Sequence, residues 1–205
     1  MVYQDFRNAF IDQICFTSNQ VYVWYPGFDK NNLRRWVRKR YLIKLRNGFY
    51  TFRELLDTPN LNLYVANRIY RPSCVSLHTA LAFYGLIPEA VARITSVSTL
   101  KTAGFENDLG SFSYKKLINK LFIGFDHLPF LKDRTILMAS PEKALLDLLY
   151  LYPFYNSEAD MLDLRLDIDM LQEVIDLNSL RELLTNFENK ALEKRANLLL
   201  KCYEL

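Results

Sequence analysis

Apolar positions at Val2, Phe6, Ala9, Phe10 and Ile14 recur at helical spacing and predict a first helix that ends near Cys15 and Phe16. Thr17 and Ser18 can cap a short second helix carrying Val21, Val23 and Trp24, which Pro26-Gly27 stops. Asp29 is placed to cap a third helix, Lys30 to about Arg40. At about 100° per residue, its Leu33, Trp36 and Val37 share one side, while Asn31, Arg34, Arg35 and Arg38 gather on the other. Arg40 falls on the apolar side by phase, where a long stem would snorkel at the helix end. Two β-prone runs, Tyr41 to Leu45 and Phe49 to Phe52, flank Arg46-Asn47-Gly48, and Asn-Gly between such runs is a strong hairpin signal.

The pattern changes after Leu55 to Asn60, which reads as a connector because Pro59 stops any preceding element. A helix from Leu61 to Tyr70 follows, and Pro72 to Ser76 leads into another through Leu77, Ala80, Leu81 and Tyr84 that stops at Gly85. Strands are expected at Ile94 to Thr99, Gly104 to Leu109, Ser111 to Leu117, Leu121 to Phe125 and Arg134 to Ala139. Ser140-Pro141-Glu142 then reads as a cap, a proline at the first position and an acid in the first turn of a helix. Met161 to Leu205 is mainly helical. The fold class expected is therefore α+β. Residues 1–57 form a winged helix-turn-helix, and residues 58–205 form a mixed domain with a mainly antiparallel sheet and C-terminal helices.

Charge sharpens the reading of the first part. The whole chain of 205 residues carries only +3. Yet from Lys30 to Arg53 every charged residue is basic: Lys30, Arg34, Arg35, Arg38, Lys39, Arg40, Lys44, Arg46 and Arg53. The remainder is net acidic, so a basic module stands beside an acidic one and a polyanion is the natural partner of the first. Asn suits adenine and Arg suits guanine in a major groove, which makes Asn31, Arg34, Arg35 and Arg38 candidate readers. Lys39, Lys44 and Arg46 suit phosphate, and free backbone N–H groups at the start of the second helix would add to them. Trp36, in phase with Leu33 and Val37, is read as core rather than as a stacking platform.

Other chemistry is weakly signalled. Ser140 and Lys143 form an S-x-x-K string, but capping explains the same serine. Glu158, Asp160, Asp163, Asp167 and Asp169 lack the glycine and terminal Glu of a calcium loop. His78 and His127 have no Cys or Asp partner at ligand spacing, and each of the six glycines is solitary. The expectation is no enzyme, no catalytic residue, no metal and no cofactor. Cys15, Cys74 and Cys202 are odd in number and widely spaced, which argues against a disulfide framework and for a reducing compartment. No basic-then-apolar leader or spanning segment can be read, so a cytoplasmic protein without membrane contact is expected.

Four stretches carry a likeness to a known family: Asn32 to Val37 with Leu45 to Tyr50, Pro72 to Leu86 (PSCVSLHTALAFYGL), Ile94 to Thr99, and Ala139 to Tyr150 (ASPEKALLDLLY). In these the chain resembles the AbiEi-type antitoxins and transcriptional regulators of type IV abortive-infection toxin–antitoxin systems. The resemblance implies an N-terminal winged helix that binds double-stranded operator DNA and represses its own operon. It also implies a C-terminal domain that counteracts a cognate AbiEii-type nucleotidyltransferase toxin, with or without direct contact. The DNA-contacting positions it implies are Asn31, Arg34, Arg35 and Arg38 on the helix and Lys44 and Arg46 on the wing. Two other classes stay open on the residues alone: a winged-helix module that docks an acidic protein without binding DNA, and a metal-dependent nuclease or hydrolase using the acids or Ser140.

Overall fold

The computed structural model describes residues 1–88 and 92–205. The chain opens with α1 (Tyr3–Phe10), a 3-10 turn (Ile11–Gln13), β1 (Cys15–Thr17), α2 (Ser18–Trp24) and α3 (Asn31–Arg38). A hairpin of β2 (Leu42–Arg46) and β3 (Phe49–Phe52) follows, and the three strands form an antiparallel sheet in the order β1-β3-β2. Gly48, at φ +78° in the hairpin turn, takes the left-handed conformation that such a turn demands.

β1 departs from the helix expected to run on to Cys15 and Phe16. α1 ends at Phe10, and Ile14 turns the chain at φ 62°, so that Phe16 leaves extended and pairs with Tyr50. Ile14 matched the helical period because it is buried, but it belongs to a different core from Phe6 and Phe10. α3 is also shorter than expected. Tyr41 N–H donates to the Trp36 carbonyl and Arg40 N–H to the Val37 carbonyl, each at 2.9 Å. This is a Schellman closure with Arg40 at φ 58°, and the reversal leaves Arg40 exposed rather than on the apolar side.

The small sheet has two buried faces. Phe16, Leu42 and Phe52 pack with Phe6, Phe10, Phe28, Leu33 and Trp36 from the helices. The Phe6 ring touches five other aromatic rings, the nearest being Trp36 at 4.7 Å between centroids. Ile43 and Leu45, with Ile14, sit instead in the large core of the rest of the chain.

That larger part contains α4 (Leu61–Ile69), β4 (Ser73–Val75), α5 (Leu77–Phe83), β5 (Arg93–Ser98), β6 (Ala103–Asn107), β7 (Gly110–Lys116), β8 (Phe125–Pro129) and β9 (Thr135–Ala139). The helices α6 (Pro141–Leu151), α7 (Glu158–Asp163), α8 (Ile168–Val174), α9 (Leu177–Phe187) and α10 (Lys190–Cys202) complete it. The sheet order is β6-β7-β5-β4-β9-β8. Pairing is parallel for β5/β7 and β4/β9 and antiparallel for the other neighbours. The protein is thus a mixed helix-and-strand fold with mostly antiparallel sheets.

β4, wholly buried at the centre of the sheet, lies in a stretch expected only to lead into a helix. It meets β9 at one register pair, Val75 with Met138. The Asn67 carboxamide replaces a further pair: its oxygen accepts from Leu137 N–H at 2.7 Å and its nitrogen donates to the Leu137 carbonyl at 3.1 Å. β8 begins at Phe125 rather than Leu121, because residues 119–121 close a 3-10 turn.

α6 runs through the centre of this part and is buried from Glu142 to Leu149. Its Lys143 and Asp147 form an ion pair with both side chains at 0 % exposure, and Ser76 donates to the second Asp147 oxygen at 2.8 Å.

Candidate nucleic-acid interface

α3 is held from below and presents its other side. Leu33 and Trp36 are 2 % exposed, and Asp29 accepts from Asn31 N–H at 2.9 Å at the helix start. Asn31, Arg34, Arg35, Arg38 and Lys39 are all exposed. Asn32 is buried, and its side-chain oxygen accepts from Arg35 Nη2 at 2.6 Å, which fixes that guanidinium along the helix. On the hairpin, Lys44 is exposed opposite Tyr50. Burial raises the Tyr50 phenol's pKa, and the charge of Arg34 pulls it the other way. Among the described residues, none of Arg34, Arg35, Arg38, Lys39 and Lys44 forms an ion pair. These five cations on α3 and the hairpin therefore have no carboxylate within ion-pair distance among the described residues.

Arg46 stands apart from that set. Its Nη1 donates to the Ile69 carbonyl, and its guanidinium carbon lies 4.8 Å from the Phe105 ring centre and 5.2 Å from that of Phe49. A register shift between Lys44 and Arg46 turns the two side chains to different surroundings. Arg46 joins the hairpin to the larger part, as do Asn107, which donates to the Leu45 carbonyl at 3.0 Å, and an Arg53–Asp108 pair at 3.8 Å.

The start of α2 is also more fully used than expected. Thr17 and Gln20 form a reciprocal capping box, with Gln20 N–H on the Thr17 hydroxyl at 3.2 Å and Thr17 N–H on the Gln20 side-chain oxygen at 2.7 Å. Ser18 N–H donates to the Gly48 carbonyl at 2.9 Å. These groups lock α2 to the hairpin turn and leave little of that helix end for a phosphate. Tyr50 was not singled out by the sequence reading, although strand alternation with Phe52 puts it on the helix-facing side of β3.

Several of the other candidates make local contacts. Ser140 accepts from Lys143 N–H at 3.3 Å and donates to Glu142 at 2.8 Å, while the Lys143 ammonium turns to Asp147, so serine and lysine do not face each other. Glu158 pairs with Lys201 at 2.9 Å, Asp160 completes a capping box with Ser157, and Asp167 caps α8. His127 Nδ1 lies 3.2 Å from the Thr135 hydroxyl, and His78 meets the Tyr152 ring edge-on. Among the described residues, no group of three His, Cys, Asp or Glu side chains is placed to hold a metal ion. Nor is any described helix long and apolar enough to cross a membrane.

Comparison with protein-family models and with curated protein sequences gave no match.

Proposed function

We propose that the first part of the chain is a winged helix-turn-helix that binds double-stranded DNA, with α3 as the reader and the β2–β3 hairpin as the wing. The order helix, strand, helix, helix, hairpin is that of such a module, and one observation carries the functional reading. Arg34, Arg35, Arg38, Lys39 and Lys44 are exposed on α3 and the hairpin with no carboxylate among the described residues paired to any of them. On this reading Arg34, Arg38 and Asn31 meet base edges and Lys39 and Lys44 meet phosphate. Arg35, held by Asn32, reaches whichever lies beside the helix.

The partner on this reading is operator DNA upstream of the protein's own operon, which the bound protein represses. The larger domain acts as the antitoxin toward a nucleotidyltransferase toxin. That second role rests on the resemblance of the stretches Pro72 to Leu86 and Ala139 to Tyr150. No residue is assigned to it, since both stretches run mainly through core positions.

The test is a mobility-shift titration of the full chain on DNA from upstream of its own gene, at several salt concentrations. Lys39 and Lys44 on phosphate, with Arg35 as a third where it reaches one, give a slope of log affinity against log salt of about −2 to −3. The Arg34→Ala/Arg35→Ala/Arg38→Ala variant is expected to lose about tenfold or more in affinity. Equal binding by that variant and the unaltered protein at moderate salt would refute the reading. A salt-sensitive self-complex in gel filtration with no DNA shift would replace it with protein docking.

A further inference from the structure

The back of the small sheet and the adjoining faces of α4, β4 and β9 enclose two neighbouring hollows of about 260 and 200 Å³. Arg68 and Arg71 line both, Arg134 lines the larger and His127 the smaller. No Asp or Glu lines either one. Thr17 and Gln20 add polar groups at the rim of the larger hollow, on the side where α2 starts.

The Arg68 guanidinium stands 4.6 Å from the Tyr64 ring centre, and Tyr64 stacks in turn on Phe130 at 4.7 Å. This fixes a planar cation in place, yet its Nε is buried and has no hydrogen-bond partner in the protein. Among the described residues, the Arg134 guanidinium makes one long hydrogen bond, 3.4 Å to the Asp12 carbonyl, while the Asp12 carboxylate is taken by Lys132. Among the described residues, neither Arg68 nor Arg71 has an ion-pair partner. Guanidinium groups converging on a concavity without a counter-charge repel one another, and a bound dianion removes that repulsion while accepting several N–H donors at once.

We propose that this cleft is a binding site for a phosphomonoester of metabolite size. The dimensions select the ligand. Together the hollows hold a phosphate and a substituent about as large as a pentose, whereas a duplex offers its phosphates on a convex surface that cannot enter them. The site is separate from the surface of α3, and its existence does not depend on whether α3 reads DNA.

The test is calorimetric titration of the full chain with ribose 5-phosphate, with ribose as the control. Saturable binding of the phosphate ester and none of ribose is expected. Arg71→Gln/Arg134→Gln, which alters side chains at the mouth, is expected to weaken it at least tenfold, with an unchanged thermal midpoint as the check on folding. Arg71→Glu serves as a second variant with the same expected loss. The Arg34→Ala/Arg38→Ala protein is expected to bind as the unaltered chain does, which separates this site from the DNA reading. Absence of saturable binding, or equal affinity in the mouth variants, overturns the proposal. So does weaker duplex binding by the mouth variants in a protein that ignores ribose 5-phosphate, which would assign the cleft to nucleic-acid backbone.

Discussion

Replacing Lys143 by Met keeps most of the side-chain stem and removes one charge from the centre of the larger domain. Both Lys143 and Asp147 are 0 % exposed, and with the ammonium gone the Asp147 carboxylate keeps only the Ser76 hydroxyl at 2.8 Å. Leaving one member of a buried pair uncompensated costs about 3–5 kcal/mol, a large share of the 5–15 kcal/mol that holds a typical domain together. Burial raises the Asp147 pKa above its usual value, with Lys143 and Ser76 opposing the rise. An acid whose folded pKa is raised keeps its proton in the folded state after the unfolded chain has released it. Stability is therefore highest below the unfolded value and falls as pH climbs through the interval up to the folded one. Lys143→Met removes an opposing cause and extends that interval upward. The defect is accordingly largest at neutral pH and shrinks towards about pH 4. The double variant Lys143→Met/Asp147→Leu removes both charges and is expected to recover most of the loss. Urea unfolding of the four corners of this cycle at two pH values is the assay. A single variant within about 1 kcal/mol of the unaltered protein at neutral pH refutes the reasoning. So does a double variant no more stable than the single one.

Two further outcomes concern the first part of the chain. Arg46→Ala loses the bond to Ile69 and the contacts with Phe49 and Phe105, and is expected to cost about 1–3 kcal/mol in urea unfolding. Its slope of DNA affinity against salt is expected to stay unchanged, and a slope lower by about one would return Arg46 to the phosphate-contacting set. Arg40→Gly relieves a left-handed non-glycine residue and is expected to raise stability by up to about 1 kcal/mol, read as a small increase in thermal midpoint, with DNA affinity unaltered. A lower midpoint would mean that the Arg40 side chain, not its backbone, governs that turn.

The parts of this fold legible in the sequence are those governed by neighbours in the chain. Thr17 caps α2, Asn47-Gly48 turns the hairpin, Ser140 caps α6, and the phase of Leu33 and Trp36 separates the buried from the exposed side of α3. What escaped depends on partners far along the chain. β1 and β4 are three-residue strands, too short to show a period, and exist because β3 and β5 lie beside them. Arg46 looked like any other basic residue of the hairpin until its ring neighbours, Tyr70 and Phe105, arrived from elsewhere. The cleft of Arg68, Arg71 and Arg134 is assembled from α4, the segment after it and the residue before β9, more than 60 residues apart in the numbering, and no local pattern foreshadows it.

The same long-range contacts determine how the two parts of the chain relate. Ile14, Ile43 and Leu45 belong to the large core, so the hairpin beside α3 is built onto the second domain rather than carried on a tether. Arg46, Asn107 and the Arg53–Asp108 pair fasten the β2–β3 hairpin from outside that core. On the proposed reading, a wing held in this way enters a groove without the ordering cost that a mobile one would bear, and DNA binding gains from the contacts holding the sheet in place. The arginine cleft occupies the same seam, between the back of the sheet and α4, with Thr17 and Gln20 at its rim. On the proposed reading, an anion held there lies beside Thr17 and Gln20 at the start of α2, whose Ser18 N–H is bonded to the hairpin turn. On the proposed readings, such an anion can shift the affinity of α3 for DNA only by the difference between its own affinities for the DNA-bound and the free protein.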